Sequence, residues 1–301
     1  MVAFAVPARP VLDPIDHLLA LDPGRRGISG FFVPGGALGA ARALAGAGSV
    51  LIVTGFVVAE GRPETDGPPG AAVLGRALRR LGARVRYTSD PAVLPTLEAS
   101  LRALDEPLEV FAYPEGPDAA ALVLEREAPT HLVAIERPGR GRGGDYLNAR
   151  GLSVAAWNRP LDEMFLRPGR VGGRRRVTIG VGDGGNEIGM GRVRERLAGE
   201  GELIARIASV VSVDHLVVAG VSNWGAYGIV AQLGRLTGQR LLHTPAEERV
   251  LIDACVKAGA VDGLTRRPEP TVDALDADTH AAVVELLGLS WGDVSPRGER
   301  A

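Results

Sequence analysis

The fold of this chain is indicated by residues 177–187, VTIGVGDGGNE, in which a β-branched apolar run passes directly into a glycine-rich loop with polar side chains. Such a run predicts a buried strand. Similar runs recur at 50–53, 84–88, 108–112, 131–135 and 216–219. Between the runs, apolar side chains repeat at helical spacing, as they do from Val73 to Leu81. The alternation predicts an α/β fold, with a mostly parallel sheet flanked by helices on both faces in a three-layer, Rossmann-like arrangement.

The helix starts carry further signals. Asp66 precedes Gly67-Pro68-Pro69 and Asp90 precedes Pro91, so both carboxylates are predicted to cap helices. Later helices are predicted at 226–236, 247–258 and 277–287. We expect one α/β domain over residues 1–301; if the chain has two lobes, their boundary falls in the basic, glycine-rich segment 167–176.

Composition excludes several classes of function. The 34 basic and 36 acidic residues give a formal charge of −2, which argues against nucleic acid as a partner. The single cysteine, Cys255, excludes an internal disulfide framework and multi-cysteine metal sites. No stretch has the pattern of a membrane anchor or a targeting peptide, so the expected location is the cytoplasm. The expected partner is a small molecule, and self-association into a homo-oligomer stays open.

Polar residues follow the predicted strands, at the edge of a parallel sheet where ligands bind. The loop after residue 182 presents Asp183, Asn186 and Glu187 among glycines, and the amide groups of Gly184 and Gly185 could face an oxyanion. A divalent metal ion held by Asp183 and Glu187 is an alternative, and a helix-capping turn is another. Residues 180–185 also fit G-x-G-x-x-G, but the negative charge of Asp183 would repel a pyrophosphate.

The other candidate ligands lie on neighbouring loops. Thr54 and the Glu136-Arg137 pair end two strands, and an arginine fork can bind a carboxylate through two hydrogen bonds. The remaining candidates are Glu64 and Asp66 in a proline- and glycine-rich loop, Tyr146 and Asn148 after a Gly/Arg loop, and Asn223 after the last strand. For each of these sets, a surface ion pair, a loop turn or a helix cap is the alternative interpretation.

Several of these segments together resemble the D-glutamate cyclase family, which converts D-glutamate to 5-oxo-D-proline with loss of water. The resemblance is carried by residues 53–56, 64–71, 136–148, 180–191 and 219–225, with 261–263 and 279–280, and spans about residues 22–287. The chain departs from the family pattern at Leu147, where a second tyrosine is expected. Animal members are mitochondrial and carry a further N-terminal region.

The resemblance implies a hydro-lyase, and the residue roles follow as hypotheses. Asp183 or Glu187 would take the amine proton, Asn186 and the two glycine amides would stabilise the tetrahedral oxyanion, and Arg137 would bind a substrate carboxylate. Thr54 and Glu136 would line the substrate site. Asn223, Tyr146 and Asn148 would fix the chiral centre, with Glu64 and Asp66 closing the pocket or binding the ammonium. No cofactor is implied with certainty, although a divalent metal ion is an option. The alternatives are a nucleotide- or phosphosugar-binding α/β enzyme and a non-catalytic amino-acid sensor.

Overall fold

Residues 13–59 and 61–290 are described in a computed structural model of the chain. The strands are β1 Ser49–Thr54, β2 Val57–Ala59, β3 Arg62–Pro63, β4 Arg84–Ser89, β5 Val110–Ala112, β6 His131–Ile135, β7 Arg170–Val171, β8 Arg174–Arg175, β9 Val177–Gly182, β10 His215–Val218, β11 Thr271–Val272 and β12 Leu275–Asp276. The helices are α1 Pro14–Leu19, α2 Gly36–Leu44, α3 Pro68–Arg80, α4 Leu94–Ala103, α5 Ala119–Glu127, α6 Glu163–Leu166, α7 Arg194–Gly199, α8 Glu202–Ile207, α9 Ser222–Thr237, α10 Pro245–Lys257 and α11 Ala277–Leu289.

Six strands form the central sheet in the order β10-β9-β6-β1-β4-β5, and each neighbouring pair is parallel. In the central strand β1, Val50 and Ile52 pack into one core, whereas Leu51 and Val53 pack into the other. Successive side chains of a strand point to opposite faces, so a strand buried on both faces must be apolar throughout. This explains the continuous apolar runs in the sequence.

Helices cover both faces of the sheet. Helices α1, α2, α3, α4, α9, α10 and α11 contribute to the first core, and α5, α6 and α7 contribute to the second. The predicted three-layer α/β fold is therefore confirmed. The predicted internal strands and helices are present, although β5 is shorter than expected and α9 begins at Ser222, four residues before its predicted start. No helix within residues 13–59 and 61–290 is long and apolar enough to cross a bilayer.

Two predicted helix caps were wrong. Helix α3 has Gly67 at its N-cap with no side-chain cap, because the Asp66 carboxylate accepts hydrogen bonds from the amide groups of Ser222 and Asn223 at 2.9 and 2.8 Å. Helix α4 begins only at Leu94, again without a side-chain cap. Both aspartates are buried and serve contacts distant in sequence, which local spacing cannot reveal. The segment 167–176 forms the short β7–β8 hairpin, and the division into domains stays a prediction.

Candidate functional site

A cavity of about 220 Å³ opens at the carboxyl-terminal edge of the sheet, beyond β6 and β9. Its volume corresponds to roughly seven water molecules at ~30 Å³ each, which suits a small metabolite better than a drug-sized ligand. Its charged and amide lining residues are Arg26, Glu64, Glu136, Asn148, Asp183, Asn186, Glu187, Arg266 and Asp273. The parallel topology thus brings the ends of distant strands and loops to one site.

Six carboxylates are buried in and around this cavity. None is more than 7% exposed: Glu64, Asp66, Glu136, Asp183, Glu187 and Asp273. The Arg26 guanidinium enters this acidic cluster and pairs with Asp183 and, at 2.6 Å, with Asp273. Arg266 lines the cavity as well. The cluster therefore holds far more negative than positive formal charge.

Burial changes the proton affinity of these carboxyl groups because desolvation disfavours their charged forms. It raises the pKa of Asp183 to about 6 and the pKa of Asp273 to about 7, against the opposing effect of Arg26. Burial, with neighbouring carboxylates second, raises the pKa values of Glu64, Asp66 and Glu136 well above their ordinary range. Groups this close share protons as a set. The site can consequently hold and exchange protons at neutral pH.

Glu64 and Asp273 reach the cavity from segments that are tied to each other. The amide group of Thr65 donates to the carbonyl of Val261 at 3.0 Å, and its hydroxyl donates to the carbonyl of Thr271 at 2.8 Å. Asp273 occupies the turn of the β11–β12 hairpin with a φ of +54°, a left-handed conformation that aspartate tolerates. One oxygen of Glu64 and one of Asp273 are buried without a hydrogen-bond partner.

Glu187 is engaged by the backbone of its own loop. Its carboxylate accepts hydrogen bonds from the amide groups of Asp183 at 3.2 Å, Gly184 at 2.6 Å and Gly185 at 2.8 Å. The two glycine amides, which the sequence suggested for an oxyanion, are therefore already satisfied. The same contacts leave no free amides in the 183–185 turn to bind a nucleotide phosphate, which argues against the nucleotide interpretation.

Asn223 holds the loop that carries Glu64. Its Oδ1 accepts from the amide groups of Gly67 at 3.0 Å and Gly70 at 2.8 Å, and its Nδ2 donates to the carbonyl of Thr65 at 3.3 Å. Asn223 is fully buried in the first turn of α9 and does not line the cavity. Asn223 holds the loop residues that follow Glu64. It makes no contact in the cavity with which it would distinguish one enantiomer of a substrate from the other.

Arg137 has a structural environment in place of the expected substrate contact. Its guanidinium is fully buried and donates to Asp90, to the carbonyl of Gly55 at 3.1 Å and to the carbonyl of Arg159 at 2.7 Å. All three acceptors belong to the protein. An arginine at the end of a strand can form such an internal ion pair or bind a substrate carboxylate. The sequence does not distinguish the two, because both use the same hydrogen-bond geometry.

Glu136, immediately before Arg137, does line the cavity. It adopts a φ of +43°, which is uncommon for a residue with a side chain. Its Oε2 accepts a hydrogen bond from the hydroxyl of Ser222 at 2.6 Å. One of its carboxyl oxygens lies within 4.8 Å of carboxylate oxygens of Asp183 and Glu187. The unusual backbone conformation is thus used to turn a carboxyl group into the site.

The remaining predicted residues divide into two groups. Asn148 and Asn186 line the cavity, and the Asn186 side chain donates to the carbonyl of Leu147 at 2.7 Å. Tyr146 donates its hydroxyl to Asp162 at 2.5 Å and packs in a small apolar cluster. Thr54 is fully buried, and its hydroxyl has no hydrogen-bond partner. Neither Tyr146 nor Thr54 lines the cavity.

Sequence reasoning missed Arg26, Asp273 and Arg266. Arg26 follows Asp22, whose carboxylate accepts from the amide groups of Arg26 and Gly27 at 2.8 Å each and so shapes this short loop. The aspartate, proline and glycines of residues 22–27 are typical of a turn, but nothing in their spacing indicates a cavity. The 273–274 turn between two very short strands gave an equally weak signal.

Two sets of three carboxylates have oxygens within 4.8 Å of one another, and they share Asp183. One set is Asp66, Asp183 and Asp273, and the other is Glu136, Asp183 and Glu187. Oxygen-only donor sets of this kind suit hard divalent cations such as Mg²⁺ and Mn²⁺. A metal ion is thus compatible with the donor chemistry of the site.

Fold and site together define a three-layer α/β protein with a small acidic cavity beyond the carboxyl ends of its parallel strands. Residues 15–288 match the profile of the family described as D-glutamate cyclase-like, C-terminal, and the chain belongs to this family. It is 35% identical to the protein named "D-glutamate cyclase, mitochondrial" from Homo sapiens, over 73% of this chain and 38% of the human protein. The chain therefore spans well under half the length of this curated relative.

A likeness to one solved structure is weaker. A chain of the exonuclease RecJ bound to manganese aligns with 83% of this chain and 46% of its own, at 13% sequence identity and a TM-score of 0.40. At that score, nothing about function is inferred from it.

Proposed function

We propose that this protein is a D-glutamate cyclase, a hydro-lyase that closes D-glutamate into 5-oxo-D-proline. The observation that carries the proposal is a cavity of amino-acid size, lined by Glu64, Glu136 and Asp183, within the part of the chain that matches the cyclase family. The human relative bears the name of this activity. The proposed location is the cytoplasm.

Cyclisation of D-glutamate takes up no proton from the solvent and releases none to it. The α-nitrogen attacks the γ-carboxyl carbon, a C–N bond forms, a C–O bond breaks, and two protons pass from the ammonium nitrogen to the oxygen that leaves as water. A single carboxyl group that accepts and returns protons can serve this sequence. The nucleophile is tethered to the electrophile, so much of the acceleration comes from holding the substrate in its cyclic shape, where effective molarities reach ~10⁵–10⁸ M.

Glu64 is the carboxyl group that we assign to this proton transfer. It lines the cavity, and its Oε1 has no hydrogen-bond partner. Asp183 is paired with Arg26, and Glu187 accepts from three backbone amides, so both are less available than the sequence suggested. Asp183 remains essential in this proposal because it lines the cavity and pairs with Arg26, a candidate ligand of the substrate carboxylates.

The substrate carboxylates are assigned to the positively charged and amide groups of the cavity. Arg26 and Arg266 supply guanidinium groups, and Asn148 and Asn186 supply amide groups of the cavity lining. Arg137, Asn223 and Tyr146 then act as positioning residues, since they do not line the cavity and their polar groups are bound to other parts of the protein.

Chiral chromatography of the purified full chain tests the proposal. Incubation with D-glutamate should yield 5-oxo-D-proline, while L-glutamate should remain unchanged. Glu64→Gln and Asp183→Asn should each lower turnover at least 100-fold with retained cooperative unfolding. Asp278→Asn, at an exposed ion pair with Arg249, is the matched control and should keep wild-type turnover. Absence of conversion by folded wild-type protein refutes the proposed function; saturable glutamate binding without turnover would instead favour an amino-acid sensor.

A further inference from the structure

The charges of the cavity and of its proposed ligand do not match. D-Glutamate carries two carboxylates and one ammonium, whereas the described cluster supplies six carboxylates. Arg26 and Arg266 are the guanidinium groups among the lining residues. Those carboxyl groups of the cluster that are ionised repel a net negative ligand unless their charge is balanced by bound protons or by further positive charge. This charge mismatch rests on the proposed function, whereas the positions of the carboxylate oxygens do not.

We propose that Asp66, Asp183 and Asp273 bind one divalent cation, of the Mg²⁺ or Mn²⁺ type. Each offers a carboxylate oxygen, and these oxygens lie within 4.8 Å of one another. Two ligand oxygens on opposite sides of such an ion, at ~2.0–2.6 Å from it, are roughly 4–5 Å apart. The three side chains are therefore close enough to contact one ion together.

Unpartnered carboxylate oxygens at the same place can accept a positively charged group. Asp273 Oδ2 and Glu64 Oε1 are buried without a hydrogen-bond partner, and the two residues are only 7% and 6% exposed. A buried acceptor without a donor is unfavourable, and more so when it is charged. Both side chains line the cavity. A cation beside Asp273 satisfies its free oxygen directly and lowers the cost of the neighbouring Glu64 charge.

The backbone already orients one of the proposed ligands. Asp66 Oδ1 accepts from the amide groups of Asn223 and Gly67 at 2.8 and 3.0 Å, and Oδ2 accepts from the amide group of Ser222 at 2.9 Å. Outer hydrogen bonds of this kind fix metal-ligating carboxylates in many proteins. We place the ion in the Asp66 set because it contains Asp273 Oδ2, a buried oxygen without a hydrogen-bond partner, whereas no oxygen of Glu136, Asp183 or Glu187 is buried in this way.

Arg26 contacts two of the carboxylates that we assign to the cation. Its guanidinium bridges Asp183 and Asp273, which are two of the three proposed ligands. A divalent ion at these carboxylates competes with Arg26 and releases it toward the cavity. The released guanidinium is then free to pair with a carboxylate of the substrate, while the ion can polarise a carboxyl oxygen as a Lewis acid.

Mn²⁺ titration of the purified full chain, followed by electron paramagnetic resonance and calorimetry, tests the site without measuring turnover. Wild type and Asp278→Asn should bind one Mn²⁺ saturably. Asp273→Asn should weaken binding at least tenfold, and Arg26→Gln should bind at least as tightly as wild type because the competing guanidinium is gone. Equal affinity of Asp273→Asn and Asp278→Asn, or no saturable binding by wild type, overturns the proposal.

Two further measurements cover the case of an unfolded variant and separate the cation site from the proposed function. If Asp273→Asn does not unfold cooperatively, Arg26→Gln carries the test, and a tenfold loss of Mn²⁺ affinity in that variant overturns the proposal. Chelator-treated protein separates this inference from the proposed function. Undiminished turnover after chelation, together with no saturable Mn²⁺ binding, refutes the cation site alone, whereas saturable Mn²⁺ binding without any turnover refutes the cyclase alone.

Discussion

Replacing Arg137 with methionine should reduce stability and not act primarily on substrate binding. The guanidinium is fully buried and donates to Asp90 and to the carbonyls of Gly55 and Arg159. Methionine fills much of the same volume but leaves the Asp90 carboxylate, itself only 2% exposed, without its counter-ion. Breaking a buried pair from one side costs about 3–5 kcal/mol, a large part of the 5–15 kcal/mol that stabilises an ordinary domain.

Urea unfolding measures the effect, and a second substitution checks its cause. Asp90→Asn removes the orphaned charge but keeps an oxygen that can accept from the amide group of Arg159, now at 2.9 Å. The double variant should therefore recover at least about 1.5 kcal/mol relative to Arg137→Met alone, as expected for residues in contact. The reasoning is refuted if Arg137→Met unfolds like wild type and instead raises the KM for substrate, since Arg137 would then be the carboxylate ligand that its sequence position suggests.

Two further predictions concern groups outside the cavity. Asn223→Ala should cost about 2–4 kcal/mol of unfolding free energy and lower kcat, because the buried amides of Gly67 and Gly70 lose their acceptor; an unchanged urea midpoint would contradict this. Burial opposes ionisation of Glu247, but its ion pair with Arg76 at 2.7 Å and its backbone contacts lower the pKa of this carboxyl to about 2. Its stabilising effect should be full above pH 4.5 and should be lost as the pH falls through 2. Glu247→Gln should therefore cost about 1 kcal/mol at pH 7, discounted for its partial exposure, and little below pH 2. Thermal unfolding across this range measures it, and a constant difference would refute the assignment.

The sequence predicted the sheet well because its strands are buried on both faces. The interior of a strand such as β1 must then be apolar, as residues 50–53 are, and its end is marked by Thr54 and Gly55. The same logic correctly brought Glu136 and Asp183 to one edge of the sheet, as their common place in the cavity lining confirms.

The sequence did not distinguish groups that face the cavity from groups that hold it in place. Asp90 and Arg137 lie 47 positions apart in sequence and neutralise each other, whereas Glu64 is left with a free oxygen. Spacing along the chain carries no information about which charged group finds a partner in the folded state. Arg26 and Asp273 were not predicted from the sequence for a related reason. Each reaches the cavity from a short turn, and no strand end in the sequence marks its position.

The cavity draws its side chains from both ends of the chain, and this makes the β7–β8 hairpin a natural point for dividing the protein into two fragments. Arg26, Glu64 and Glu136 precede the exposed hairpin, while Asp183 and Asp273 follow it. Neither fragment alone would contain the complete set of charged groups. Regain of ligand binding on mixing the fragments would thus report their association, so the protein has the layout needed for a complementation sensor.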